Sequence, residues 1–298
     1  MRTSSTPRSR QLSLLCGLLI LALTACGVDG TEAEGREERG TRMREVADAW
    51  QGAKALETWH RGFYPLHPLT TELPEGAFRS GTDKDAHLSG RYVATVPLPT
   101  RLPRTEVRWP DGTTGHVSTL TARQTLDLLG EKAEQVPPAE GTLRVTGVRL
   151  AASKVATSRG TARVPAWEFT VAGYDRPFRR PAVTASVIPK SPIAPVERET
   201  YAQMPVETLK SVSDDGRSVT VLVPHGACDG GGTADVLETG AAVVLAGFVL
   251  PRKDGGSLDG PCTANRLLAT VTVRLKRPLG ERVLLDSLRG VPVQQSLY

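Results

Sequence analysis

His225 and Asp229, set around Cys228, are the polar pair of this chain best spaced for proton transfer. A carboxylate four residues from an imidazole can orient it as a general base where a loop folds back on itself. No serine or free thiol stands beside them as a nucleophile. The pattern G-x-S-x-G, which presents a serine on a strained turn, is absent, and so are H-E-x-x-H and the P-loop. Zinc ligation by His225, Cys228, Asp229 and Cys262 lacks a C-x-x-C pair. Gly230-Gly231-Gly232 leads into a strand pattern rather than a helix that could hold an anion, so it reads as a flexible turn. Asp83-Lys84-Asp85-Ala86-His87 starts like a calcium loop, but Leu88 stands where the sharp turn needs glycine. That leaves a solvated loop. His60 and His67 do not have zinc spacing, and His116 reads as a structural residue in a strand. No catalytic residue, metal ligand or cofactor is expected from these patterns. His225 and Asp229 are kept as a candidate binding rim.

The other residue with chemistry is Cys26. Arg2, Arg8 and Arg10 precede an apolar run from Leu12 to Leu23, and no acid interrupts them. A basic segment followed by about a dozen apolar residues describes a secretory leader, and it is shorter than the roughly twenty residues a membrane-spanning helix needs. Leu23-Thr24-Ala25-Cys26-Gly27 then resembles the lipobox of bacterial lipoproteins, in which the cysteine is diacylated and becomes the mature first residue. The resemblance implies cleavage after residue 25 and an anchor in the bilayer through N-terminal acyl chains. It places the protein on the extracytoplasmic face of the cell membrane. Two acyl chains give a stable anchor where one does not. Residues 26–44 are nearly devoid of large apolar groups and read as a flexible tether.

An outside-facing address bears on the remaining cysteines. Cys16 leaves with the leader and Cys26 takes lipid, so Cys228 and Cys262 are expected to pair as a disulfide. Removing residues 1–25 also takes three of the 37 basic groups and none of the 32 acidic ones, which leaves +2 rather than +5. That balance excludes nucleic acid as a partner.

The elements that must position these residues read as α+β. Met43, Val46, Ala47, Trp50, Ala53 and Leu56 form one stripe of a helix over 41–60. Residues 66–88 read as an extended excursion. Strands follow over 91–98 and 106–109, and Pro110-Asp111-Gly112 turns the chain into a third. Thr121 and Gln124 make a capping box for a second helix that ends at Pro137-Pro138. Beyond it, Leu143 and Val145 share one parity and Val148 and Leu150 the other, so a β-bulge is expected at Gly147. Trp167, Phe169 and Val171 line one face of the next strand, and residues 182–188 close the set. Pro189, Pro192, Pro195 and Pro205 mark a linker over 189–206, separating an α+β domain at 45–188 from a mainly antiparallel β domain at 207–298. There, strands at 219–223, 234–238, 242–250 and 267–275 suggest a meander, with 242–250 buried on both faces.

Several short phrases stand out together. They are Thr157-Ser158-Arg159-Gly160, Val164-Pro165-Ala166-Trp167, Gly173-Tyr174-Asp175, His225-Gly226-Ala227-Cys228-Asp229 and Pro278-Leu279-Gly280-Glu281-Arg282. In these the chain resembles a group of uncharacterised secreted proteins and lipoproteins of high-GC actinobacteria, and 29 Arg against 8 Lys fits such an origin. The resemblance implies an envelope address and carries no catalytic residue. Two functions follow as expectations. One is a non-enzymatic lipoprotein that binds an envelope ligand or protein; the alternative is an envelope hydrolase with an active site dispersed along the chain.

Overall fold

A helix begins where a tether was expected. The structure, a computed structural model, describes residues 29–76, 78–130, 141–184, 188–200, 202–252, 263 and 265–296. Within it α1 runs Asp29–Trp50 and α2 runs Lys54–Arg61, so the flexible stretch expected over 26–44 is corrected to helix from residue 29 onward. Buried positions on α1 fall at Gly35, Arg39, Met43, Val46, Ala47 and Trp50, which is one continuous helical face. Its first half lacks apolar residues because Gly35 and Arg39 occupy that face. The single helix expected over 41–60 breaks at Gly52, whose φ of +72° only glycine adopts readily. Leu56, on α2, still packs against the same cluster as the α1 stripe.

The next elements are α3 (Gly81–Leu88), β1 (Tyr92–Ala94), β2 (Glu106–Arg108), β3 (Thr114–His116), α4 (Ala122–Leu126), β4 (Leu143–Thr157), β5 (Gly160–Val171) and β6 (Phe178–Pro181). The strands form one sheet of order β1-β4-β5-β2-β3, with β6 on β5. Its frame is the long β4–β5 hairpin, which turns at Ser158-Arg159. The register slips between Val145 and Gly147, so the expected bulge is present. The capping box is also present: Thr121 Oγ accepts from the Gln124 N–H while Gln124 Oε1 accepts from the Thr121 N–H at 2.9 Å. The helix itself is shorter than expected: α4 ends at Leu126, residues 127–130 are turn and bend, and residues 131–140 lie outside the described residues. α3 replaces the loop expected at 83–88; Ser80 caps it by accepting from the Asp83 N–H. The closing strand lies earlier than the expected 182–188, at β6. Trp167, Phe169 and Val171 face one cluster with Leu143 and Val145, while Val164 and Ala162 face a second with Val107 and Trp109. At the tip, Ser158 Oγ donates to Trp59 O at 2.6 Å and Arg159 donates to Arg61 O, which docks the hairpin on α2.

The C-terminal strands are β7 (Thr208–Val212), β8 (Ser218–Gly226), β9 (Gly232–Glu238), β10 (Ala242–Val249), β11 (Arg266–Arg274), β12 (Val283–Asp286), β13 (Val291–Pro292) and β14 (Gln294–Gln295). They form two four-stranded sheets, β13-β12-β10-β9 and β11-β8-β7-β14. The expected meander is therefore corrected. β8 and β9 belong to different sheets, because the glycine-rich turn between them carries the chain across the sandwich. Val219, Val221 and Val223 of β8 meet Val243 and Leu245 of β10 in the interior. Ala242, Val244 and Ala246 point the other way, onto Met43, Val46, Ala47 and Trp50 of α1. The expected burial of β10 on both faces is present, and α1 belongs to the core of the C-terminal half. Residues 188–196 are strapped to that half: Arg42 donates to Ala194 O, and Val196 donates to Leu288 O.

Polar groups fasten these layers. Arg39 donates to Asp235 at 2.8 Å, lies 3.7 Å over the Phe248 ring and reaches Ala202 O. Glu168, almost wholly buried, accepts from Arg179 and pairs with Arg149, tying β4, β5 and β6 together. Asp286 accepts from the N–H groups of Val206, Leu288 and Arg289.

Two outcomes test this fastening. Arg39→Ala leaves Asp235 and Phe248 without their partner and is expected to lower unfolding stability by about 2–3 kcal/mol. Amide exchange should quicken over 32–40 more than over 43–50; unchanged protection of the first segment refutes the clamp. The second outcome concerns pH. Burial pushes the Asp286 carboxyl from 3.8 up to about 6, against the pull of its three N–H donors. A raised carboxyl favours the protonated native state, so its contribution is fully present below the unfolded value and is lost as pH rises through about 6. The change is at most about 3 kcal/mol. Urea midpoints at successive pH values should show this slope in the native chain and a flatter one in Asp286→Asn.

Candidate functional site

The loop holding the predicted rim is shaped by its own backbone. β8 ends at Gly226, which pairs with Arg266, and His225 pairs with Leu267. Asp229 Oδ2 accepts from the Gly226 N–H at 2.6 Å, while His225 Nδ1 donates to Gly226 O at 2.8 Å. Imidazole and carboxylate thus hold opposite ends of one residue, and no hydrogen bond joins them. The proton-transfer pair imagined from their spacing is not assembled. The glycine turn beside them is tight rather than flexible. Gly230 donates to Leu250 O, and a Cβ there would lie 2.1 Å from Pro251 O. Cys228 is disulfide-bonded and does not titrate; Cys262 and Cys26 lie outside the described residues. Because β8 and β11 are antiparallel neighbours, the last residue of β8, Gly226, and the first of β11, Arg266, lie at the same end of the sheet.

A second cluster carries more side-chain chemistry, and sequence reading missed it. Arg79, just before α3, pairs with Asp83 at 3.0 Å and lies 4.8 Å over the Tyr174 ring. The Tyr174 hydroxyl donates to the same Asp83 oxygen at 2.8 Å. Desolvation, with the neighbouring Asp83 carboxylate second, raises the Tyr174 phenol. Gly173 has φ of +80°, and a Cβ on it would lie 1.7 Å from Arg79 Nη1. A cleft of about 390 Å³ opens here, lined by Glu75, Arg79, Tyr174, Asp175 and Arg176. Behind it the rings of Tyr174, Phe178, Tyr92, His87 and Phe78 form a chain of edge and tilted contacts. His87 Nδ1 and Tyr92 Oη lie 2.6 Å apart in a hydrogen bond, and burial drives the Tyr92 phenol far up, so it stays protonated. The phrase Gly173-Tyr174-Asp175 pointed at the place; nothing in it pointed to Arg79.

A third concavity, of about 600 Å³, lies between α2, β3 and the proline-rich segment, where Lys54, His116 and Lys190 line it. His116 meets Thr105 Oγ1 at 3.2 Å. Among the described residues no group of three or more His, Cys, Asp or Glu could hold a metal ion, and no helix is long and apolar enough to cross a membrane.

Comparison with known proteins adds no identity: no family model matches the chain, and no curated protein or solved structure is significantly similar to it.

The Arg79–Gly173 contact can be measured. Gly173→Ala is expected to cost about 1–3 kcal/mol, from the positive φ and from expulsion of the guanidinium. In an Arg79→Ala background the steric part is already gone, so the cost should fall to the backbone part alone. Equal costs in both backgrounds refute the contact.

Proposed function

We propose that this chain is a lipoprotein anchored through Cys26 on the extracytoplasmic face of a bacterial membrane, related to the actinobacterial group it resembles. Its folded body serves as a binding module for an envelope ligand or protein. One observation carries the reading: the order of basic residues, apolar run and Leu23-Thr24-Ala25-Cys26 at the start of the chain. The oxidised state of Cys228 agrees with an outside address, and its partner in this reading is Cys262. Binding is favoured over hydrolysis because His225 and Asp229 are both engaged by the backbone of Gly226, while Asp83 is held between Arg79 and Tyr174.

Metabolic labelling with a fatty-acid probe tests the anchor. The native chain should take up label and Cys26→Ala should not, and the variant should leave the membrane fraction. Equal labelling of both overturns the reading.

A further inference from the structure

We infer that the end of the sandwich carrying Leu250, Leu267 and Leu268 rests on the bilayer that holds the acyl chains of Cys26. The inference depends on the anchoring proposed above and goes beyond it by naming the face of the protein that meets the lipid.

The first argument is the length of chain available. Three Cα–Cα steps separate Cys26 from Asp29, the first residue of α1, and they reach at most about 11 Å. A lipid on Cys26 therefore holds the first turn of α1 close to the headgroups.

The second argument is the direction of α1. Its N-terminal part lies at the end of β10. Arg39 lies over Phe248, and Gly35 abuts Ala202, close to the Met204–Gly247 bridge. The turns preceding Gly35 project past that end. β8 reaches the same end. Gly232, paired with Val249, abuts Val223, and β8 continues beyond it through His225 to Gly226. The rim of His225, Asp229 and Cys228 is therefore on the anchor side. The six-stranded sheet is on the other, joined through α2 and the hairpin tip docked on it.

The third argument is the chemistry of that end. Leu250, Leu267 and Leu268 are 39%, 44% and 48% exposed, and they flank the 226–231 loop. Exposed leucines at the end where an acyl anchor emerges fit the interfacial zone of a bilayer, where apolar area is buried among headgroups and upper acyl chains. Glu32 and Glu34, exposed on the first turns of α1, are repelled by anionic headgroups, so contact falls on the leucine side rather than along the helix.

The test uses the lipid-bearing protein in vesicles of phosphatidylethanolamine and phosphatidylglycerol that carry a nitroxide on the headgroup. An environment-sensitive fluorophore is placed at Leu268→Cys, or at Val93→Cys on β1, which pairs with β4 at the open end of the long hairpin, with the unsubstituted chain as labelling blank. Vesicle flotation reports the anchor, and quenching reports orientation. The fluorophore at 268 should be quenched several-fold more than that at 93 and should shift to shorter wavelength. Flotation with equal quenching at both positions, or with stronger quenching at 93, overturns the orientation and leaves the anchor standing. Loss of flotation overturns the anchor and the orientation together. As a second variant, Leu250→Glu with Leu267→Glu should lower quenching at 268 while flotation persists, and undiminished quenching also overturns the contact.

Discussion

Strand β10 has no face left for water, and the rest of the C-terminal half follows from that. Its five residues from Ala242 to Ala246 are all buried. Val243 and Leu245 fill the interior of the sandwich, where bulk is needed to bridge two sheets about 10 Å apart. On the opposite side Val244 is flanked by the small Ala242 and Ala246, which lets α1 settle close to the sheet. A sheet with only one covered face would leave Val283 and Leu285 of β12 exposed as well. The helix is thus a structural layer, and burial of its stripe contributes on the order of 1.5–3 kcal/mol for each large side chain.

The local grammar of the chain was legible, and its long-range pairing was not. The bulge at Gly147 is written in a parity change between Val145 and Val148, and the α4 cap in Thr121 and Gln124, because each depends on residues within a few positions. The burial of β10 shows as an unbroken apolar run. The first half of α1 escaped notice because the residues facing its core are a glycine and an arginine, and an arginine can be buried when a carboxylate and a ring receive it. α3 escaped for lack of an apolar stripe. The sandwich was mistaken for a meander because nothing near Gly230 says which sheet the next strand joins.

Four of the five short phrases that stand out in the sequence acquire a physical meaning in the structure. Thr157–Gly160 is the tip of the long hairpin, seated on α2. Gly173 and Tyr174 receive Arg79. His225 and Asp229 grip Gly226. Arg282, half-buried, pairs with Glu238 and also donates to the carbonyls of Arg277 and Pro278. Each of these four marks a turn held by a polar fastener, and they lie in separate parts of the fold; the fifth, Val164–Trp167, is strand within β5. The candidate rim was found through the spacing of His225 and Asp229 around Cys228, whereas Arg79, the residue that shapes the second cleft, lies in no phrase.

The order in which β10 is completed bears on how the chain can fold. Its partner in the helical layer is the first described element, and its parallel neighbour β12 begins only at Val283. Contacts that span most of a chain close slowly, since the intervening residues must be confined before the pairing is rewarded. A newly made chain therefore holds α1 in waiting until almost its last strand exists. The polar first half of that helix suits the wait: with Gly35 and Arg39 on its inner face, it offers neighbouring chains little to stick to before β10 arrives.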